Sequence, residues 1–124
     1  MLLYEELSGK ILGAAIEVHR ELGPGLLEST YEECLGYELN HCGIPFQRQW
    51  ELPVKYKGQQ LNCGYRIDIL VDHKIVLELK SVEALLPIHD AQLMTYLKLS
   101  GCKLGLLMNF NVVAMKNGIK RFVL

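Results

Sequence analysis

No apolar run in the chain approaches the roughly 20 residues that span a bilayer, so membrane insertion is not expected. The opening MLLYEELSGK is acidic where a secretory leader is basic, which argues against export. The four cysteines, Cys34, Cys42, Cys63 and Cys102, form no C-x-x-C pair and no regular zinc spacing. They read as buried thiols in a reducing cytoplasm. Neither charge sign is in excess: 13 basic and 14 acidic residues leave a formal net charge of -1, so bulk charge does not mark a nucleic-acid binder. There is no internal repeat, low-complexity tract or interdomain linker, which excludes a solenoid or a tethered pair of domains.

What is present is ample core material. Half of the 124 residues are hydrophobic and 22% are charged, the balance of one globular domain covering residues 1–124. The charges are unevenly placed. Residues 1–44 hold two basic residues, Lys10 and Arg20, against eight acidic ones, whereas residues 45–124 hold eleven against six.

Two helices come first. Leu7, Ile11, Leu12, Ala15, Val18, His19 and Leu22 fall on one helical stripe over residues 7–22. Gly23-Pro24-Gly25 stops that helix and opens another, from about Leu26 to Cys42, with Leu27, Tyr31, Cys34, Leu35 and Leu39 on its apolar face and Glu28 and Glu32 beside it. The period then changes to two. Phe46, Arg48, Trp50 and Leu52 alternate with more polar neighbours, Val54 and Tyr56 continue the pattern, and Pro53 marks an edge or a bulge. After a Lys57-Gly58 turn, a second strand is expected over Leu61–Val71 and a third over Ile75–Lys80, joined as a hairpin by Asp72-His73-Lys74. Pro87 opens a third helix ending near Ser100-Gly101. Lys103–Phe110 and Val112–Met115 supply one or two further strands, and a turn at Lys116-Asn117-Gly118 precedes Ile119–Leu124. The expected architecture is α/β, a mixed sheet flanked by helices in the order ααβββαβ.

The chemistry concentrates on the second and third strands. Strand side chains alternate, so Glu78 and Lys80 share a face and Leu79 takes the other. If Val71 pairs with Ile75, the register sets Asp68 opposite Glu78. Two carboxylates facing each other between Ile67, Ile69, Leu77 and Leu79 repel and are costly to desolvate, so positive charge belongs there. Lys80 supplies one such charge. A hard divalent cation, Mg²⁺ or Mn²⁺, would supply two more. The bland alternative is a solvated sheet face carrying a lysine–carboxylate ladder.

Asp68, followed ten residues later by Glu78-Leu79-Lys80, resembles the D…E-x-K core of the PD-(D/E)XK nuclease superfamily. The element order is similar as well. Gly25-Leu26-Leu27-Glu28-Ser29-Thr30-Tyr31 spells G-x-x-E-x-x-Y and, with His19–Pro24 before it, resembles the signature of the small GxxExxY proteins of that superfamily. Gln92 and Tyr96 match a Q-x-x-x-Y element of its exonuclease-like branch. The position before Asp68 is Ile67, where the nominal motif has proline.

The resemblance implies a metal-dependent nuclease. Asp68, Glu78 and the backbone carbonyl of Leu79 would bind the ion, and Lys80 would orient or help deprotonate the attacking water and offset charge at the phosphate. Glu28 would be the helical carboxylate, with Glu32 as rival. Gln92 would hydrogen-bond near the water or a phosphate. Tyr96 is either a core or hinge aromatic or a ligand contact. Arg48 and Arg66, with Lys55 and Lys74, either track phosphates along a rim or serve solubility at a sheet edge. Trp50 either stacks on a base or, with a strand on either side, packs in the core. His89 in an opening helical turn reads as structural or solvated, His19 and His41 have no evident partner, and His73 belongs in the hairpin loop. DNA is the expected substrate, bound weakly because little charge is available to neutralise phosphates, so a partner protein or a homo-oligomer would complete the surface. The competing class is a non-catalytic interaction or nucleic-acid-binding module that retains the fold.

Overall fold

A computed structural model describes residues 2–124. Three α-helices and seven strands follow one another as α1 (Glu5–Leu22), α2 (Glu28–His41), β1 (Phe46–Glu51), β2 (Val54–Tyr56), β3 (Gln59–Leu61), β4 (Arg66–Val71), β5 (Ile75–Lys80), α3 (Pro87–Ser100), β6 (Leu104–Asn109) and β7 (Ile119–Val123). Five strands form one mixed sheet in the order β1-β4-β5-β6-β7, in which only the β5–β6 pairing is parallel. A parallel neighbour requires a crossover, and α3 supplies it. The expected mixed sheet flanked by helices is the one observed.

Burial follows strand parity. Ile75, Leu77 and Leu79 of β5, with Leu104, Leu106 and Met108 of β6, meet Ile11, Ala15 and Val18 of α1 and Tyr31, Leu35 and Leu39 of α2. Val76 and Leu107 point the other way, onto Leu93, Tyr96 and Leu97 of α3. The sheet therefore lies between α1 and α2 on one side and α3 on the other. By the same parity Glu78 and Lys80 belong to the α3 side.

Five expectations are corrected. The strand expected over Leu61–Val71 is two, because β3 leaves the main sheet to pair with β2 as a separate antiparallel hairpin, and residues 62–65 carry the chain back to β4. Val112–Met115 is no strand; bends lead into a short 3-10 turn at Met115–Gly118. Trp50 does not pack in the core. Strand β1 is the sheet edge, with a neighbour on one side only, and the indole is 38% exposed, edge-on to His73. Only Cys102 is a buried thiol; Cys34 is half-buried and Cys42 and Cys63 are exposed. Helix α2 also starts two residues later than expected, which leaves Leu27 outside it and exposed.

Candidate metal centre

The β4–β5 ladder runs Val71↔Ile75, Leu70↔Val76 and Ile69↔Leu77, the register the three-residue loop dictates. One step further Asp68 meets Glu78, and there side chains replace the backbone ladder. The Asp68 N–H donates to Oε2 of Glu78 at 2.9 Å, and the Leu79 N–H donates to Oδ2 of Asp68 at 2.8 Å. Each strand thus offers an amide to the other strand's carboxylate.

These amides do not offset the cost of burial. Glu78 is 5% exposed, and its carboxyl is pushed up to about 8, first by loss of solvent and then by the charge of Asp68, against the opposing pull of the Asp68 amide and Lys80. Asp68 is also raised, chiefly by burial, with Glu32 and Glu28 adding repulsion while the Leu79 amide and Lys80 oppose it. Lys80 is half-buried at the end of β5. It lies within electrostatic reach of both carboxylates, yet among the described residues neither forms an ion pair. Two carboxyls pressed together with no cationic side chain paired to them keep a proton between them at neutral pH, and a divalent cation is what would displace it.

The G-x-x-E-x-x-Y stretch has a structural reason. The Tyr31 hydroxyl donates to the Gly23 carbonyl at 2.6 Å and accepts from the Leu26 N–H at 3.1 Å, while its ring stacks on Phe110 at 4.5 Å. The α1–α2 turn is thereby stapled to the core. Ser81, which follows Lys80, donates its hydroxyl to the Leu26 carbonyl at 2.6 Å and its N–H to Oε2 of Glu28 at 3.1 Å. The segment therefore docks against the end of β5 that carries Lys80.

Glu32 is held differently. It is 7% exposed and accepts from Nε of Arg48 at 3.0 Å and from Nε2 of Gln49 at 2.6 Å. Neighbours on a strand point to opposite faces, but Gln49 adopts a left-handed φ of 51°, which breaks the alternation and lets both side chains reach one carboxylate. Opposite this kink the β1–β4 pairing skips Asp68, and Nε2 of Gln49 lies 3.5 Å from Oδ1 of Asp68. Gln49 so links the α2 carboxylate to the β4 carboxylate. Sequence reasoning missed it, since nothing in a glutamine on an apparent strand signals left-handed backbone.

A family model of the PD-(D/E)XK nuclease superfamily matches residues 5–122. The chain belongs to the PD-(D/E)XK nuclease superfamily. No curated protein and no solved structure gives a significant match. Nucleases of this superfamily typically use divalent metals, and the residues present fit such an ion. Asp68 and Glu78 are hard oxygen donors gathered in one buried space. Among the described residues no three His, Cys, Asp or Glu side chains converge, so Glu28 and Glu32 do not close a cage around the pair. Two carboxylates with a carbonyl and waters suit Mg²⁺ or Mn²⁺, which seldom take an all-protein shell.

The remaining motif residues of this PD-(D/E)XK chain lie on α3 and β1. Nε2 of Gln92 donates to the Tyr96 hydroxyl at 3.0 Å. Tyr96 is 5% exposed and its ring packs in the α3-side core; its hydroxyl is raised first by burial and next by the Glu78 charge, against the hydrogen bond from Gln92. Arg48 is bound by Glu32 and Glu33, at 2.9 and 2.7 Å, rather than free along a rim. Arg66 is half-exposed near Glu51, at 3.8 Å. Two histidines are structural: Nε2 of His19 lies 2.7 Å from the Val112 carbonyl, and Nδ1 of His89 accepts from the Leu86 N–H opening α3; His73 sits exposed in the β4–β5 loop. Asn109, 3% exposed, was also missed. Its amide donates to the Val82 carbonyl at 3.0 Å and accepts from the Val82 N–H at 3.1 Å, fixing the segment just after Lys80.

Proposed function

We propose that the protein is a metal-dependent nuclease of the GxxExxY type that hydrolyses phosphodiester bonds, with DNA as substrate and Mg²⁺ or Mn²⁺ as cofactor. The observation that carries this reading is the Asp68–Glu78 pair, two largely desolvated carboxyls joined through each other's backbone with Lys80 alongside. Asp68, Glu78 and the Leu79 carbonyl would hold the ion. When bound, it supplies a Lewis acid and an acidified water. Lys80 orients that water and offsets charge at the phosphate. Glu28 fixes the end of β5 through Ser81, and Gln92 hydrogen-bonds to a phosphate oxygen or to the attacking water.

A surface of nearly balanced charge, with Arg48 already engaged, holds nucleic acid weakly. A partner protein or a second copy therefore completes the binding surface. The test is cleavage of end-labelled single- and double-stranded DNA and RNA with Mn²⁺. Asp68→Asn and Lys80→Ala should each lower the rate by about 100-fold or more. Activity equal in wild type and both variants would come from a contaminant, and the fold would then serve as a non-catalytic module.

A further inference from the structure

A groove of about 510 Å³ runs between α3 and the chain that follows the β2–β3 hairpin, lined by Val54, Tyr65, Ile88, Gln92, Thr95 and Tyr96 among others. We infer that this groove takes an unpaired nucleobase of the strand whose phosphate lies over Asp68 and Glu78. This rests on the nuclease reading and names the substrate class: a nucleic acid with single-stranded character at the cleavage point.

Three observations carry the assignment. The groove lies on the metal-centre side of the sheet: Gln92 and Tyr96 line it, and Tyr96 belongs to one packed cluster with Ile67, the neighbour of Asp68, and with Val76, which shares its face of β5 with Glu78. Its lining holds no charged side chain, so it gives a phosphate no counter-charge and suits the uncharged, flat part of a nucleotide. It is also apolar and open: Tyr65 is 47% exposed and Ile88 67% exposed, with the Tyr65 ring edge-on to Tyr96 at 6.2 Å. Tyr65 so presents a face on which a base can stack, while Gln92 and Thr95 offer hydrogen bonds to its edge. A base within a duplex is stacked on both faces and cannot enter, so a duplex substrate must first release the nucleotide.

Binding is measured by fluorescence anisotropy with a fluorescein-labelled oligothymidylate and with a duplex of equal length, without divalent metal so that neither is cut. The single strand should bind more tightly. Tyr65→Ala should weaken it by about tenfold, Tyr65→Phe should restore it, and duplex binding should not change. Ile88→Ser, at an exposed position, gives a second probe free of folding cost and should also weaken the single strand. Equal binding of both probes, or single-strand binding untouched by Tyr65→Ala and Ile88→Ser, would overturn the assignment. The two readings fail separately. Cleavage that survives Asp68→Asn removes the nuclease assignment without touching these affinities, whereas loss of cleavage in Asp68→Asn with unchanged affinities in the groove variants removes the groove alone.

Discussion

Asp68 and Glu78 each accept a hydrogen bond from the strand opposite, Glu78 from the Asp68 N–H and Asp68 from the Leu79 N–H, yet their charges repel across the same gap. The result is a pair whose stability depends on protons. Glu78 stands at about 8 in the fold against an ordinary 4.5. A carboxyl that binds its proton more tightly when folded favours the native state fully at low pH, and that contribution is lost as pH rises through the folded value. The metal-free protein should therefore lose at least about 5 °C of Tm between roughly pH 5 and pH 9, by circular dichroism. A flat profile over that window would mean that Glu78 ionises freely.

The same pair predicts how neutral variants behave. Glu78→Gln keeps an oxygen for the Asp68 amide and removes a charge that is absent below about pH 8 and costly above it. Without metal its Tm should match wild type at acid pH and exceed it at alkaline pH. Asp68→Asn should leave metal-free stability unchanged or raised, since Glu78 loses its nearest repelling charge. Millimolar Mn²⁺ should raise the Tm of wild type, and more so as pH increases, because ligands must shed protons to bind. Equal Mn²⁺ shifts in wild type and both variants would sink the metal assignment.

The hairpin that creates this pair was legible because its loop is short and its strands are apolar on both faces. Asp72-His73-Lys74 fixes Val71 against Ile75 and Ile69 against Leu77, and one more step brings Asp68 level with Glu78, where the ladder ends and the Asp68 N–H reaches the Glu78 carboxylate. The β2–β3 hairpin was not legible, since five of its six residues are exposed and the sixth only half-buried. Without a buried face, Val54–Tyr56 read as a continuation of the first strand, Leu61 as the start of the second, and Gln59 and Gln60 as neither. Edge position is equally silent: Trp50 looks like a core residue in an alternating run until sheet order shows that nothing lies beyond β1. The Glu32–Gln49–Asp68 link depends on one left-handed residue, a backbone choice that local sequence does not record for glutamine.

Glu28 and Glu32 separate by experiment. Glu32 is buried and joined to Arg48 and Gln49, so Glu32→Ala takes the acceptor from Nε of Arg48 and from the Gln49 amide, leaves the guanidinium only the exposed Glu33, and should cost about 2 kcal/mol or more in urea denaturation. Glu28 is exposed and accepts one amide, from Ser81. Glu28→Ala should cost about 1 kcal/mol or less while lowering the cleavage rate roughly tenfold, because the residue after Lys80 loses its tether. A Glu28→Ala variant with full activity would move the role to Glu32.

Two glycines give a contrast that tests the sheet's far edge. A Cβ on Gly105 would lie 2.9 Å from Cδ1 of Leu93, the end of a side chain that can rotate within the α3-side core. A Cβ on Gly118 would instead collide with the backbone carbonyl oxygen of Asn109. That carbonyl belongs to the last residue of β6, whose side chain also brackets Val82, so it cannot yield without loosening the segment after Lys80. Gly105→Ala should cost about 1 kcal/mol and Gly118→Ala about 3 kcal/mol or more, measured by urea denaturation. Gly118→Ala should also lower cleavage by more than its unfolded fraction explains, because the disturbance passes through Asn109 to the end of β5. Equal costs for the two variants would show that the Asn109 carbonyl moves freely, and the bracket on Val82 would lose its part in holding Lys80.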